Sequence, residues 1–213
     1  MFLNVLKMRA IYFALFVILF ASCKKEELQP GEDNLFFVEF EIGSDTVYYE
    51  DGEENYGNGP GIRTYEDSLG RLHSQYTVFQ RSSQTPDYTK NTVGIQVVKF
   101  LTDTLFPSYN VSYSLFDEGT YGYGSYNLDS TTAGIEGAIF FYVDNDSVTW
   151  SSDVQYGTQE SWANFEITSH KAVDELQFGA KTKGTFNCRV FNGTGGHLDL
   201  RNGRFHARTI YPQ

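Results

Sequence analysis

The chain has 213 residues and only two cysteines, Cys23 and Cys188. A disulfide framework is therefore excluded as the source of stability, and a hydrophobic core must supply it. Proline is scarce, at five, and methionine and tryptophan occur twice each. Cationic side chains are in deficit: 16 Lys and Arg stand against 27 Asp and Glu, a net charge of −11. Such a chain does not suit nucleic acid, whose phosphates need a basic surface. Long apolar runs are missing too. The one near the start, residues 10–20, spans about 16 Å as a helix, roughly half of a hydrocarbon core. Its length argues against a transmembrane helix.

What is present is a β composition. Phenylalanine and tyrosine are abundant, at 18 and 15, beside 20 glycines and frequent Val, Thr and Ser. Apolar and polar residues alternate along much of the chain. Phe36, Val38, Phe40 and Ile42 share one face, with Glu39 and Glu41 on the other. Gly43-Ser44 reads as a turn into Thr46–Tyr49. Further strands are expected over Leu72–Gln80, Thr92–Leu101, Ser147–Ser151, Leu176–Ala180 and Thr182–Phe191. Ile135, Gly137, Ile139, Phe141 and Val143 read as the inward face of a central strand, and Ala163, Phe165 and Ile167 as that of another. Residues 50–61 are expected to form a long loop, and His170–Gln177 a turn between strands. No convincing helical periodicity occurs after residue 22. The fold class expected is all-β, an antiparallel β-sandwich of jelly-roll or immunoglobulin-like kind.

Cys188 alternates with Phe186 and Val190, which places it on a buried face as a small hydrophobe. Asn202-Gly203 is a strong two-residue hairpin signal, because a type I′ turn needs positive φ at both positions. Counting outward from it sets Leu200 against Phe205 and Asp199 against His206, with Leu198, Leu200, Phe205 and Ala207 on the core face. The opposite face would carry Arg201, Arg204, Arg208, His197, His206 and one carboxylate, Asp199.

Residues 181–213 hold six basic residues against the single acid Asp199. An anionic ligand, such as an acidic glycan or the acidic patch of a partner, would suit a face made of Arg189, His197, Arg201, Arg204, His206 and Arg208. The competing and preferred reading is that these residues meet the protein's own acidic loops or water. Ca²⁺ wants six to eight clustered oxygens. Asp144-Asn145-Asp146-Ser147 and Glu50-Asp51-Gly52-Glu53-Glu54 are the acidic turns that approach this, without a closing bidentate Glu. Solvated turns are the preferred reading, and no cofactor is expected. The aromatic residues Tyr121, Tyr123, Tyr126, Trp150, Tyr156 and Trp162 lie in or near loops. They could build a sugar platform, since flat rings cover the apolar faces of sugars. Core and edge roles are the commoner use.

Catalytic patterns do not emerge. The four histidines, His73, His170, His197 and His206, lack metal-ligand spacing, and no nucleophile elbow or phosphate loop occurs. An Asp199–His206 contact would be a surface ion pair of little worth.

The start of the chain carries an address. Lys7 and Arg9 precede the apolar stretch, which ends in Leu19-Phe20-Ala21-Ser22-Cys23. This order resembles a bacterial lipoprotein signal. The resemblance implies cleavage before Cys23 and acylation of its thiol, giving residues 1–22 as signal peptide, 23–33 as tether and 34–213 as one β-sandwich domain. Lys24-Lys25-Glu26-Glu27 is similar to the short signal after the acylated cysteine of surface-exposed lipoproteins of Bacteroidota. The closing segment, Lys183-Gly184-Thr185-Phe186 and then Leu198-Asp199-Leu200-Arg201-Asn202-Gly203-Arg204-Phe205-His206-Ala207, resembles the last strands of uncharacterised Bacteroidota outer-membrane lipoproteins. The resemblance implies a β-sandwich on the outer membrane, facing outward, and no particular activity. Asp followed by Ser or Thr and a small or aliphatic residue resembles the O-glycosylation acceptor of exported proteins from the same phylum, which would mark Thr46, Ser68, Thr104, Ser130 and Ser147.

The function expected is a non-enzymatic, surface-anchored binding module for glycan or an envelope partner. The alternatives are a structural subunit of an envelope assembly and a glycan hydrolase with a carboxylate pair built from distant loops.

Overall fold

A computed structural model describes residues 35–63, 73–81, 89–99, 114–125, 134–173 and 179–210. The described residues are all-β. Eleven strands pair antiparallel: β1 (Phe37–Ile42), β2 (Asp45–Glu50), β3 (Tyr56–Arg63), β4 (His73–Arg81), β5 (Thr92–Lys99), β6 (Gly119–Tyr121), β7 (Gly137–Val143), β8 (Thr149–Ser151), β9 (Asn164–Val173), β10 (Gly179–Phe191) and β11 (His197–Ile210). One turn of 3-10 helix, Ser114–Phe116, precedes β6.

The strand order is β2-β1-β11-β10-β8-β7-β5-β4-β3, with β9 and β6 branching from β10. The long strand β10 serves two neighbours along one edge. Its first nine residues, Gly179–Asn187, pair with β9, and Phe191 at its far end pairs with Ser151 of β8. The sheet folds back on itself. β1 and β7 are separated by three strands in the order, yet Phe40 packs edge-on against Phe140 with ring centroids 5.3 Å apart. Phe186 packs against both, 4.5 Å from Phe140 and 6.1 Å from Phe40. This aromatic centre is fully buried and continues into Val38, Ile95, Phe165, Cys188, Leu200 and Phe205. Each side chain of that size contributes roughly 1.5–3 kcal/mol by leaving water.

The inward faces expected of β1 and β9 are observed: Phe36, Val38, Phe40, Phe165 and Ile167 are buried. So is Cys188, whose thiol lies beside the hydroxyl of Tyr123. Burial pushes the ionisation of both groups up, and the Tyr123 hydroxyl is held between the carbonyls of Asn164 and Asn187, at 3.1 and 2.9 Å. A thiol in this setting stays protonated and is no nucleophile.

Four expectations are corrected. Residues 50–61 are not one loop: the turn is short and β3 begins at Tyr56. Pro60 lacks an N–H for a ladder, and it is accommodated because β3 is the last strand of the sheet. Residues 170–173 extend β9 rather than forming a turn, while 174–178 lie outside the described residues. In β7 the phase is the reverse of that expected. Ala138, Phe140 and Tyr142 face the core, Ile135 is 51% exposed, and Phe141 and Val143 look out of the opposite face, although Ile139 is buried as expected. The run Ala138–Val143 is apolar on both faces, so alternation alone does not choose between them.

The fourth correction concerns Asn202-Gly203. It is not a hairpin turn but a β-bulge inside the continuous strand β11. Against β10, Phe186 faces Gly203 and Cys188 faces Leu200, so one residue of β10 opposes two of β11. Asn202 sits at φ +51°, the left-handed conformation that asparagine tolerates. The hairpin before β11 turns instead through Asn192–Gly196, with Phe191 facing His197.

Candidate functional site

On the face of the sheet away from the aromatic core lies a cleft of about 800 Å³. Its floor follows one cross-strand row. Gly59 of β3 faces Val78 of β4, Val78 faces Gly94 of β5, Gly94 faces Phe141 of β7, Phe141 faces Ser151 of β8, and Ser151 faces Phe191 of β10. Side chains two residues along a strand share a face. Thr92 and Gln96 therefore flank Gly94, and Val143 and Thr149 stand beside Phe141 and Ser151. Gly94 is required here. A Cβ on it would lie 1.9 Å from the Phe141 ring, which rests flat over its backbone.

One wall is built from two turns. In Asn192–Gly196 the Asn192 carboxamide oxygen accepts from the N–H groups of Thr194 and Gly196, at 3.0 and 2.9 Å, and from the Thr194 hydroxyl at 3.0 Å. In the segment after β8, the carboxylate of buried Asp153 accepts from the N–H of Gln155 at 2.9 Å, and the N–H of Tyr156 bonds the Asp153 carbonyl at 3.0 Å. These bonds present Tyr156, half-exposed at 51%, over the cleft. Phe191 packs on Gly157, where a Cβ would lie 2.4 Å from the ring. The whole segment is tied down by Gln159, whose side-chain amide bonds Arg189 of β10.

The lining thus combines three rings (Phe141, Tyr156, Phe191), three carboxamides (Gln80, Gln96, Asn192) and the hydroxyls of Thr92, Thr149, Ser151 and Thr194, with Gly59, Pro60, Val143 and Gly193 completing it. Among the described residues, no carboxylate, imidazole, ammonium, guanidinium or thiol lines it. Rings beside hydroxyls and carboxamides can bind a polar, hydroxyl-bearing ligand.

No family model, curated protein or solved structure matches this chain.

The C-terminal arginines lie elsewhere and are engaged with the protein itself. Arg189 forms a fork onto Asp199, at 2.7 and 3.1 Å, and also bonds Glu160. Arg201 stacks on the Trp162 ring, its guanidinium carbon 3.2 Å from the centroid. Arg204 pairs with Glu39 at 2.6 Å. Arg208 pairs with Asp51 at 2.9 Å and lies over Phe36. His197 is exposed at the start of β11, and His206 is buried against Phe36. The structure does not set Asp199 against His206: Asp199 faces Arg189, and His206 faces Lys183 and Phe37.

Among the described residues no group of three or more His, Cys, Asp or Glu side chains is placed to hold a metal ion. In the acidic turns the carboxylates serve the fold. Asp144 accepts from the N–H groups of Asp146 and Val148 and from the Trp150 indole, all within 2.8–2.9 Å, and Asp51 accepts from Asn58 N–H and Arg208. Tyr121 donates to the Asp117 carbonyl at 2.6 Å. Thr46 is exposed on β2, and Ser147 is exposed in a turn at φ +65°. Cys23, Ser68, Thr104, Tyr126 and Ser130 lie outside the described residues.

Of the described aromatic residues singled out from sequence, Tyr156 lines the cleft. Phe141 and Phe191 were concealed by their place in apolar strands. The glycine-rich run Gly57–Gly61 and the two-sided apolar run of β7 were the signals that a second concave face existed.

Proposed function

We propose that this chain is a surface-anchored lipoprotein whose β-domain, read as a sandwich of jelly-roll or immunoglobulin-like kind, is a non-enzymatic glycan-binding module. The observation that carries the reading is the cleft, where the rings of Phe141, Tyr156 and Phe191 stand beside Gln80, Gln96 and Asn192. Sugar rings offer flat C–H faces to aromatics and hydroxyls to carboxamides. Its volume of about 800 Å³ lies in the range of small-molecule sites. The lipid anchor rests on the signal ending at Cys23, and such a tether would hold the module at the outer membrane, where polysaccharide is met.

A hydrolase gains no support from the cleft, because no carboxylate of the described residues lines it. A structural subunit would call for a broad apolar patch, and the large exposed hydrophobics among the described residues are Tyr48, Ile135 and Tyr156, from three different segments. O-glycosylation at Thr46 or Ser147 fits their exposure, and the intact mass of the native protein tests it.

The experiment is isothermal titration of the purified protein with a panel of polysaccharides. Saturable binding that weakens at least about tenfold in Tyr156→Ala, the loss of one stacked ring, supports the reading. Binding that Tyr156→Ala leaves unchanged places the ligand outside the cleft.

A further inference from the structure

Resting on the glycan-binding reading, the structure assigns the cleft to uncharged sugars and against uronic acids or sulfated and phosphorylated glycans. The argument is electrostatic. Every described residue lining the cleft is uncharged, in a protein of net charge −11. An anionic sugar entering it would shed water without meeting a cation and would approach through a repulsive field. The four C-terminal arginines are committed elsewhere. Arg189 is held by Asp199 and Glu160, Arg204 by Glu39 and Arg208 by Asp51, while Arg201 lies on Trp162.

A neutral sugar suffers neither penalty. Its hydroxyls both donate and accept, as do the carboxamides and hydroxyls of the lining. Its apolar face needs only the rings of Phe141, Tyr156 and Phe191. Discrimination here works by exclusion: the cleft lacks the guanidinium fork that recognises carboxylate and sulfate.

The test titrates the protein with two sets of oligosaccharides at low ionic strength. One holds neutral gluco-, manno-, xylo- and galacto-oligosaccharides. The other holds oligomers of galacturonate, glucuronate and alginate. The expected result is binding from the neutral set at least about tenfold tighter than anything in the acidic set, with an affinity that salt leaves unchanged. Acidic oligomers bound as tightly as neutral ones, through Tyr156, would overturn the inference and leave the glycan reading intact. Failure of both sets to bind would end the reading and the inference together. A charge placed on the rim should then narrow the preference: Thr149→Lys is expected to improve acidic binding about tenfold, and Thr194→Lys, on a separate turn, serves where the first does not fold. No gain from either folded variant counts against the electrostatic account.

Discussion

The side chain of Gln159 pairs with both backbone polar groups of Arg189. Its carbonyl oxygen accepts from the Arg189 N–H at 2.9 Å, and its amide donates to the Arg189 carbonyl at 2.7 Å. Along β10 the pairing with β9 ends at Asn187 and the pairing with β8 holds Phe191. Gln159 fills the interval between them, so a side chain replaces one residue of a strand. The same amide reaches the Ser152 carbonyl at 3.1 Å, which ties the Tyr156 segment to the sheet from both sides.

Gln159→Ala should therefore destabilise the fold by about 1–3 kcal/mol, the cost of stranding partly buried backbone groups. It should also weaken glycan binding although Gln159 does not line the cleft. Urea unfolding gives the first quantity and titration calorimetry the second. An unchanged urea midpoint would show that water replaces the amide at no cost.

Gly94→Ala should cost about 1–3 kcal/mol, because the new methyl enters the space of the Phe141 ring and overpacks it. The Phe141 ring lines the cleft, so its displacement should lower ligand affinity as well. Gly59 has open space where its Cβ would be, and Gly59→Ala should stay within about 0.5 kcal/mol of the parent. The pair separates steric displacement of Phe141 from a general intolerance of side chains on this face.

Stability should fall on the alkaline side. Burial raises the ionisation of Cys188 and Tyr123 above their ordinary values of 9.0 and 10.0, and pushes Tyr121 up to about 12. Protonated forms are thus favoured more in the folded chain than in the unfolded one. The stabilising contribution is complete below about pH 9 and is lost as pH rises through the folded-state values. Urea midpoints should decline from about pH 9 upward, and Cys188 should resist thiol reagents until the chain unfolds. On the acid side, the hydrogen bonds from Arg189 hold the Asp199 carboxyl below its usual value of 3.8. What that pair contributes is present above that value and fades as pH falls below it.

The β11 bulge gives a fourth expectation. Asn202→Gly should be nearly neutral, whereas Asn202→Val, which resists φ near +51°, should cost about 1–3 kcal/mol. Thermal unfolding of the two variants distinguishes the bulge from a flexible turn, which would accept both.

That bulge also shows how far the sequence could be read. Leu200 and Phe205 are five apart, so in a regular strand they would lie on opposite faces. Both are buried on the core side. A two-residue hairpin reverses the phase, and so does one extra residue in a strand, and Asn-Gly satisfies the positive φ of either. The core face of β11 was therefore legible while its topology was not. Alternation likewise exposed β1 and the inward residues of β9, whose outward positions are polar. It failed at β7, where both faces are apolar because one meets the core and the other a cleft. The cleft draws on strands and turns far apart in the chain, and only the folded register brings Gly59, Gln80, Tyr156 and Phe191 together. Sequence pointed to Tyr156 as an aromatic in a loop and offered no reason to prefer it over Tyr121.

The pairing of β1 with β11 binds the first strand of the domain to the last, with Phe37 opposite His206. Between them runs nearly the entire domain, so the β1–β2 hairpin has no partner on the free edge of β1 until the C-terminal strand has been made. Contacts this distant in sequence form slowly. For a chain whose opening residues resemble an export signal, that delay is useful. Under the export proposed above, a polypeptide crossing a membrane unfolded would be kept from closing its sheet early by the order in which its own strands emerge, and a copy truncated before β11 would present an open edge to proteases.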